Sequence, residues 1–399
     1  MKRLSVLLIA TLVVTAIVAP AMAGGVAATS AQAEPACEYP VSLTDATGET
    51  VTLEEPPERI VTLNPSDANT IFEIGADDRL VGMPVGDGTS RLDAEGQTDI
   101  TEDDGFTVDS ETVVGLEPDI VLAGNVTPED QIDQLREAGL TVYHFSEATS
   151  LEDVAENVAL TGTLSGECDG ATETLTWMDQ RLDLLESAVA DAEHPTVYYM
   201  MGGGFTAGEG TFQHEAMVAA GLDNIATAAD IEGWEIISDE VVVEEDPNWI
   251  LRTSGQFQPE IPESLEDTTA VQNEQFVTVD ANDFSQPAPR IVFAMESMIE
   301  TVHPDAYDTI ADDLETLDAD YEAGEFLPAT EEETDDDVAD DTDDDMGDDS
   351  SAADDDEPAT TADDDSGATT DNADTIPGFG VPVAIAAVLS ALGFTLRRQ

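Results

Sequence analysis

Two doubly wound α/β lobes joined by a long rigid helix are the fold this sequence predicts. Short apolar strands alternate with short helices over 55–149, and the same rhythm returns over 195–325. Between them, 150–194 abandons the alternation for helical spacing. Strand–helix alternation of this kind builds a parallel sheet with helices on both faces.

The elements follow in order. Residues 34–54 carry two short strands, Ser42–Leu53, around Thr47-Gly48, closed by Glu55-Pro56-Pro57. Arg59–Leu63 is an apolar strand, Pro65 opens a helix over Ser66–Ile74, and Gly75 ends it. Strands at Leu80–Met83, Asp119–Ala123 and Leu140–Phe145 alternate with helices at Thr112–Leu116 and Glu129–Ala138. Ser150 and Asp153 form a capping-box start. Val154, Val158, Leu175, Met178, Leu182, Leu185 and Val189 keep helical spacing, with glycines at 162, 166 and 170 kinking the helix near Cys168. The second lobe has strands at Thr196–Met201, Asn248–Leu251 and Gln275–Val279. Its helices fall at Phe212–Ala220, Ser238–Val243, Pro289–Val302 and Pro304–Leu317, and Gly202–Gly210 reads as a loop.

Charge narrows the function. The 399 residues hold 89 acids against 11 bases, a net charge of -78. Nucleic acid and anionic lipid surfaces need clustered cations, and this chain has none to offer. About a quarter of the acids lie in 331–374, so the folded part is acidic in its own right. Self-repulsion of this size destabilises a compact state in dilute buffer. At molar salt the Debye length falls to about 3 Å and the repulsion is screened. The composition is that of a halophile's protein, and its only lysine is Lys2.

The ends direct it outside the cell. Residues 1–33 read as a signal peptide: Lys2 and Arg3, an apolar Leu4–Val18, and a small-residue cleavage site at Ala31-Gln32-Ala33. Retention as a membrane anchor is the other reading of that segment. Glu34-Pro35-Ala36 before Cys37 is no lipobox. Residues 326–375 are an acidic Asp/Thr-rich stalk that cannot bury enough apolar surface to fold. Residues 376–399 combine Pro377-Gly378-Phe379, an apolar run long enough to span a bilayer, and Arg397-Arg398. This tail resembles the archaeal PGF-CTERM sorting signal, which implies processing by an archaeosortase; a plain transmembrane anchor is the alternative. Two cysteines in an exported chain, Cys37 and Cys168, are expected to pair.

Seven segments then follow a recognisable order: RIVTLNPSDANTIFEIGADDRLVG (59–82), DGFTVDSETVVGLEPDIVLA (104–123), LREAGLTVYHF (135–145), SLEDVAENVALTG (150–162), FTAGEGTFQHE (205–215), DPNWIL (246–251) and PAPRIVFAMESM (287–298). Together they resemble the ferric-siderophore/cobalamin class of ABC-transporter substrate-binding proteins, the class III periplasmic-binding-protein fold. The resemblance covers about 40–315. It implies a monomer holding a corrinoid, ferric siderophore or haem between its lobes and delivering it to a permease with its ATPase.

Ligand contacts are expected in loops after strands: Asn64, Pro65, Asp87, Arg91 and Phe106 in the first lobe; Phe205, Thr206, Trp234, Arg252 and Phe284 in the second. Trp234 matches a position where relatives place a cleft-facing aromatic. It reads equally as a core tryptophan. Arg91 and Arg252 suit an anionic ligand, or simple pairing with the abundant acids; Arg290 reads as structural. The resemblance also implies a docking glutamate in each lobe's first helix. Asn69 and Val218 stand there instead, with Glu73 and Glu215 one turn away.

Other chemistry finds little support. The histidines at 144, 194, 214 and 303 lack ligand spacing, so no metal site is expected. Gly202-Gly203-Gly204 is no phosphate loop, no nucleophile elbow occurs, and no catalytic residue or cofactor is expected. A cell-surface structural role on the acidic stalk remains the competing reading. Asn125-Val126-Thr127 is a glycosylation sequon on a predicted loop.

Overall fold

The computed structural model describes residues 34–254, 259–324 and 326. The signal peptide, most of the stalk and the sorting motif Pro377-Gly378-Phe379 lie outside the described residues.

The chain begins with an antiparallel pair, Val41–Thr44 with Thr50–Leu53. Asp45 closes its turn by accepting from the backbone of Thr47 and Glu49. Arg136 reaches back to pair with Asp45 and ties the hairpin to the first lobe.

The first lobe's sheet is parallel throughout. Its spatial order is Thr98–Asp99, Leu80–Met83, Ile60–Thr62, Ile120–Ala123, Val142–His144. The sheet's first strand along the chain, Ile60–Thr62, lies in the middle, and later strands are added to one side and then the other. The second lobe repeats the plan as Asp223–Asn224, Thr196–Tyr199, Trp249–Thr253, Phe276–Val279. Two-residue strands such as Thr98–Asp99 carry no periodic signal, and sequence reading passes over them. The expected loop at 202–210 contains a strand, Phe205–Ala207, paired antiparallel with Trp234–Ile236. The last predicted helix divides into Pro304–Tyr307 and Ala311–Glu322.

The expected single linking helix is two helices. Leu151–Ser165 starts with the reciprocal Ser150/Asp153 capping box and ends at Gly166, whose φ of 81° is the left-handed turn that only glycine adopts freely. Cys168–Val189 follows, 22 residues and so about 33 Å long. A kinked but continuous rod was expected; the left-handed glycine stops the first helix outright. The first helix packs on Pro65–Glu73 of one lobe and Phe212–Ala219 of the other. The second packs on the C-terminal helices Ile291–Val302 and Ala311–Glu322. Its Arg181, only 1% exposed, pairs with Glu296 and Asp318 and lies over the Phe293 ring at 4.4 Å.

One apolar core runs through all of this. Ile60, Ile71 and Leu122 of the first lobe, Leu164, Leu175 and Leu185 of the linking helices, and Val197, Leu251 and Met295 of the second lobe belong to it. The lobes therefore share buried surface rather than hanging on a flexible strap.

Cys37 and Cys168 form a disulfide that ties the N-terminal segment to the start of the second linking helix. The bond spans 131 residues, a long loop whose closure restricts the unfolded chain. Replacing both cysteines with serine is expected to cost about 2–5 kcal/mol, measured by urea unfolding in molar NaCl.

Candidate ligand-binding site between the lobes

In open parallel sheets, ligands bind outside the carboxyl ends of the strands where strand order reverses. In the first lobe that point lies between Ile60–Thr62 and Ile120–Ala123; in the second, between Thr196–Tyr199 and Trp249–Thr253.

Asn64 sits at the first reversal. It caps the helix Pro65–Glu73 by position only, because its carboxamide is turned across the sheet edge. Its Oδ1 accepts from Gly124 N and Thr127 Oγ1, both at 2.8 Å, and so clamps the two strand exits together. A Cβ on Gly124 would stand 2.9 Å from that oxygen, which is why a glycine is required there.

Beside it lies Asp67, in the first turn of the same helix and 8% exposed. Ser66 Oγ donates to its Oδ1 at 3.2 Å, while its Oδ2 is buried without a partner. Burial pushes this carboxyl up to about 7 against the opposing hydrogen bonds of Ser66 and the Gly124 backbone. Asp67 lines a cavity of about 20 Å³ closed by Thr70, Asn125, Asn157, Thr161 and, from the second lobe, Pro287. Among the described residues no other titratable side chain lines it.

The lobes meet along a polar seam next to this cavity. Asn69 Nδ2 donates to Gln286 Oε1 at 2.8 Å and to Pro65 O at 2.8 Å. Gln286 Nε2 donates to Gly88 O, and Asn282 Nδ2 to Asp87 O, each at 2.9 Å. Arg91 pairs with Asp283 at 2.5 Å, and Arg290 bonds the same carboxylate at 3.2 Å. Arg290 also lies 3.9 Å from Glu73, whose carboxyl burial pushes upward against that pull.

The predicted residues divide accordingly. Asn64, Pro65, Asp87 and Arg91 gather at the first lobe's cleft edge and seam. Phe106 is 60% exposed, held out by a turn in which Asp104 accepts from its backbone. Phe205 and Trp234 are half-buried on the antiparallel pair. Three expectations are corrected. Phe284 is 0% exposed and packs edge-on against Tyr199 at 5.0 Å, so it is core. Thr206 is buried behind the same pair. Arg91 is not open to an anionic ligand, because Asp283 holds it; Arg252 stacks over Phe276 at 4.7 Å with Nε on Thr278 Oγ1, and no carboxylate among the described residues pairs with it.

The docking positions are also corrected. Asn69 is buried in the seam and cannot meet a partner, and Glu73 is largely enclosed beside Arg290. Val218 is 45% exposed. Glu215 accepts from Leu151 N at 2.8 Å and so stabilises the positive end of the first linking helix. The sequon lies in the turn after Ile120–Ala123, with Asn125 partly buried at the cavity, Val126 61% exposed and Thr127 buried.

Sequence reading missed Asp67, which looks like any other of the 89 acids. It also missed Val85, Val126 and Ile236, among the few exposed large apolar side chains. Val85 and Val126 lie in the loops just after strands Leu80–Met83 and Ile120–Ala123, and Ile236 lies on the strand paired with Phe205–Ala207. With Phe106 they are exposed apolar groups in loops after strands of the first lobe and, for Ile236, on the second lobe's antiparallel pair. Their position after strand ends was the available signal.

Among the described residues every arginine is engaged. Arg79, Arg91, Arg136, Arg181 and Arg290 have carboxylate partners, Arg59 bonds the carbonyls of Leu116 and Glu117, and Arg252 stacks as above. No cluster of three or more potential metal ligands occurs among the described residues.

Two parallel-sheet lobes, each with one strand-order reversal, on a shared core and meeting at a polar seam, are the architecture of a two-lobe binding protein. The chain belongs to the periplasmic binding protein family, whose pattern matches residues 60–282. It is 38% identical over 316 residues to a cobalamin-binding protein of Halobacterium salinarum, covering 75% of this chain and 85% of that one. It is 27% identical to an uncharacterised ABC-transporter substrate-binding lipoprotein of Bacillus subtilis, over 67% and 87% of the two chains. Among solved structures, the molybdate-binding periplasmic protein of a Haemophilus influenzae ABC transporter has a similar fold. Its TM-score is 0.59 at 20% identity, over 72% of this chain and 98% of that one.

Asp67 supplies a pH test. Its folded pKa lies above the unfolded carboxylate value, so the native state holds the proton more tightly. That contribution to stability is full below about pH 4 and is lost as pH rises towards 7. Asp67→Asn, which does not ionise, is expected to gain on wild type by about 3 kcal/mol between those limits. Urea unfolding of both proteins across that range measures it; a constant difference would refute the assignment.

Proposed function

We propose that this chain is the exported substrate-binding component of an ABC importer and that its cargo is a corrinoid. The observation that carries the cargo is the state of the cations. Haem propionates and siderophore carboxylates need an unpaired positive group. Among the described residues, Arg79, Arg91, Arg136, Arg181 and Arg290 are paired with carboxylates, only Arg59 and Arg252 lack one, and the chain has no lysine beyond Lys2. A neutral, amide-rich macrocycle needs apolar faces and hydrogen-bonding groups instead. Phe106, Val85 and Val126 of the first lobe, and Ile236, Phe205 and Trp234 of the second, with the carboxamides around Asn64 and Asn125, are of that kind. The haloarchaeal relative named as a cobalamin-binding protein supports the same choice.

The reading places the protein on the outer face of the cytoplasmic membrane. The acidic stalk spaces it from the surface, and the tail after residue 375 is processed by an archaeosortase or retained as an anchor. Loaded protein delivers its corrinoid to a permease driven by its ATPase. With Asn69 buried and Val218 apolar, docking does not use the acid in each first helix that the family resemblance implied. At molar salt, contacts between two exposed charges are screened within about 3 Å, and an apolar or hydrogen-bonded contact replaces them at little loss.

The test is thermal unfolding of the full chain in molar NaCl with cyanocobalamin, haemin or a ferric carboxylate siderophore. At 100 times its dissociation constant the bound cargo stabilises by about 2.7 kcal/mol. Cyanocobalamin alone is expected to raise the transition and quench tryptophan fluorescence. A rise with the ferric chelate and not the corrinoid would reassign the cargo, and no response to any of the three would favour a structural role.

A further inference from the structure

The cavity beside Asp67 is lined by the carboxamides of Asn125 and Asn157 and, on the Asp67 side, by oxygens that can only accept. Thr70 Oγ1 gives its only hydrogen to Ser66 O at 3.0 Å, and Thr161 Oγ1 gives its own to Asn157 O at 2.7 Å. Ser66 Oγ donates to Asp67 Oδ1. What these three hydroxyls have left is acceptor lone pairs. Asp67 Oδ2, buried and unpartnered, is a further acceptor. An unsatisfied buried oxygen costs about 1–3 kcal/mol, so the site is completed by something that donates.

Size and field select the donor. About 20 Å³ admits one non-hydrogen group of the size of water. A free cation is disfavoured, because the cavity lies at the positive end of the nine-residue helix Pro65–Glu73. A neutral –NH₂ with two hydrogens fits both limits. The cavity belongs to the strand-order reversal of the first lobe, and Pro287 of the second lobe helps to close it, so an occupant is gripped where the lobes meet.

We propose that this cavity is the subsite for one peripheral carboxamide of the bound corrinoid, with its N–H groups donating to Asp67 Oδ2 and to the hydroxyl oxygens of Thr70 and Thr161. The assignment rests on the corrinoid reading above. It makes Asp67 a residue that distinguishes an intact amide arm from a hydrolysed one, since a carboxylate there has no hydrogen to give and repels Asp67.

The experiment titrates the full chain, above pH 7, with cyanocobalamin and with each of its monocarboxylates, in which one amide arm is hydrolysed. One positional isomer is expected to bind wild type on the order of tenfold more weakly than cyanocobalamin, the others much as cyanocobalamin does. On Asp67→Asn, which is isosteric and presents an N–H₂ to the carboxylate, that ratio is expected to fall to within about threefold. Thr161→Val is expected to weaken cyanocobalamin by a few fold. The subsite is refuted if wild type binds every monocarboxylate as it binds cyanocobalamin, or if the tenfold ratio is unchanged on Asp67→Asn. If wild type binds no corrinoid at all, the cargo reading falls with it. The wild-type series decides the question even where a variant fails to fold.

Discussion

The seam between the lobes is the constraint on which the rest depends. A binding gap is selective only if its width is fixed, and two sheets on a single strap would leave it free. Here the apolar core continues from Ile60 and Ile71 through Leu175 and Leu185 to Leu251 and Met295. Opening the gap widely would expose part of that surface, at roughly 25 cal/mol for each Å². The polar seam adds direction to this non-directional force. Asn69, Gln286 and Asn282 hold backbone carbonyls at fixed positions, and Asp283 draws Arg91 and Arg290 together from opposite lobes. Small adjustments within a packed interface, not a wide hinge, are the motions such a structure allows.

The same seam explains how a chain this acidic distributes its few cations. An arginine on the surface of such a protein finds carboxylates everywhere and gains little from any of them, the more so in molar salt. Four of the arginines are instead placed where solvent is thin. Arg181 lies in the core between Glu296 and Asp318, Arg136 reaches the buried Asp45, and Arg91 and Arg290 flank Asp283. In those places screening is weak, and leaving one partner of a buried pair unmatched is strongly destabilising. With the cations assigned to architecture, recognition falls to dipoles and apolar faces, which salt does not screen.

This division accounts for what the sequence disclosed and what it hid. The two lobes, most strands and helices, and the cysteine pair were legible, because burial imposes periods on Val, Ile and Leu that survive an acidic composition. The linking segment was legible as helical but not as broken: three glycines at 162, 166 and 170 look alike in a sequence, and only Gly166 takes a positive φ. The site was less legible. Phe284 and Phe106 both follow strands, yet one is wholly buried and the other mostly exposed. Arg91 looked like a ligand group because its partner Asp283 lies 192 residues away in the other lobe. Asp67 was invisible for a physical reason: a buried carboxyl and a solvated one are the same letter, and what separates them is the packing of Gly124, Thr161 and Pro287 around it.

Asp67 also shows why a buried acid is tolerated in so anionic a molecule. Elsewhere on this surface another carboxylate adds to self-repulsion and is offset by hydration and salt. Within the cleft edge neither remedy reaches it, and burial drives it towards the neutral form. The helix terminus beneath it and the Gly124 backbone pull the other way, so the group is held near the balance of its two states. A group so balanced responds to what arrives beside it, because a donor favours the ionised carboxyl and an empty site favours the proton. An arginine at the same place would bind more strongly but would favour any anion. A hydrogen-bond acceptor in a space for one atom group discriminates by which hydrogens the cargo can offer, and it does so at any salt concentration in which the fold survives.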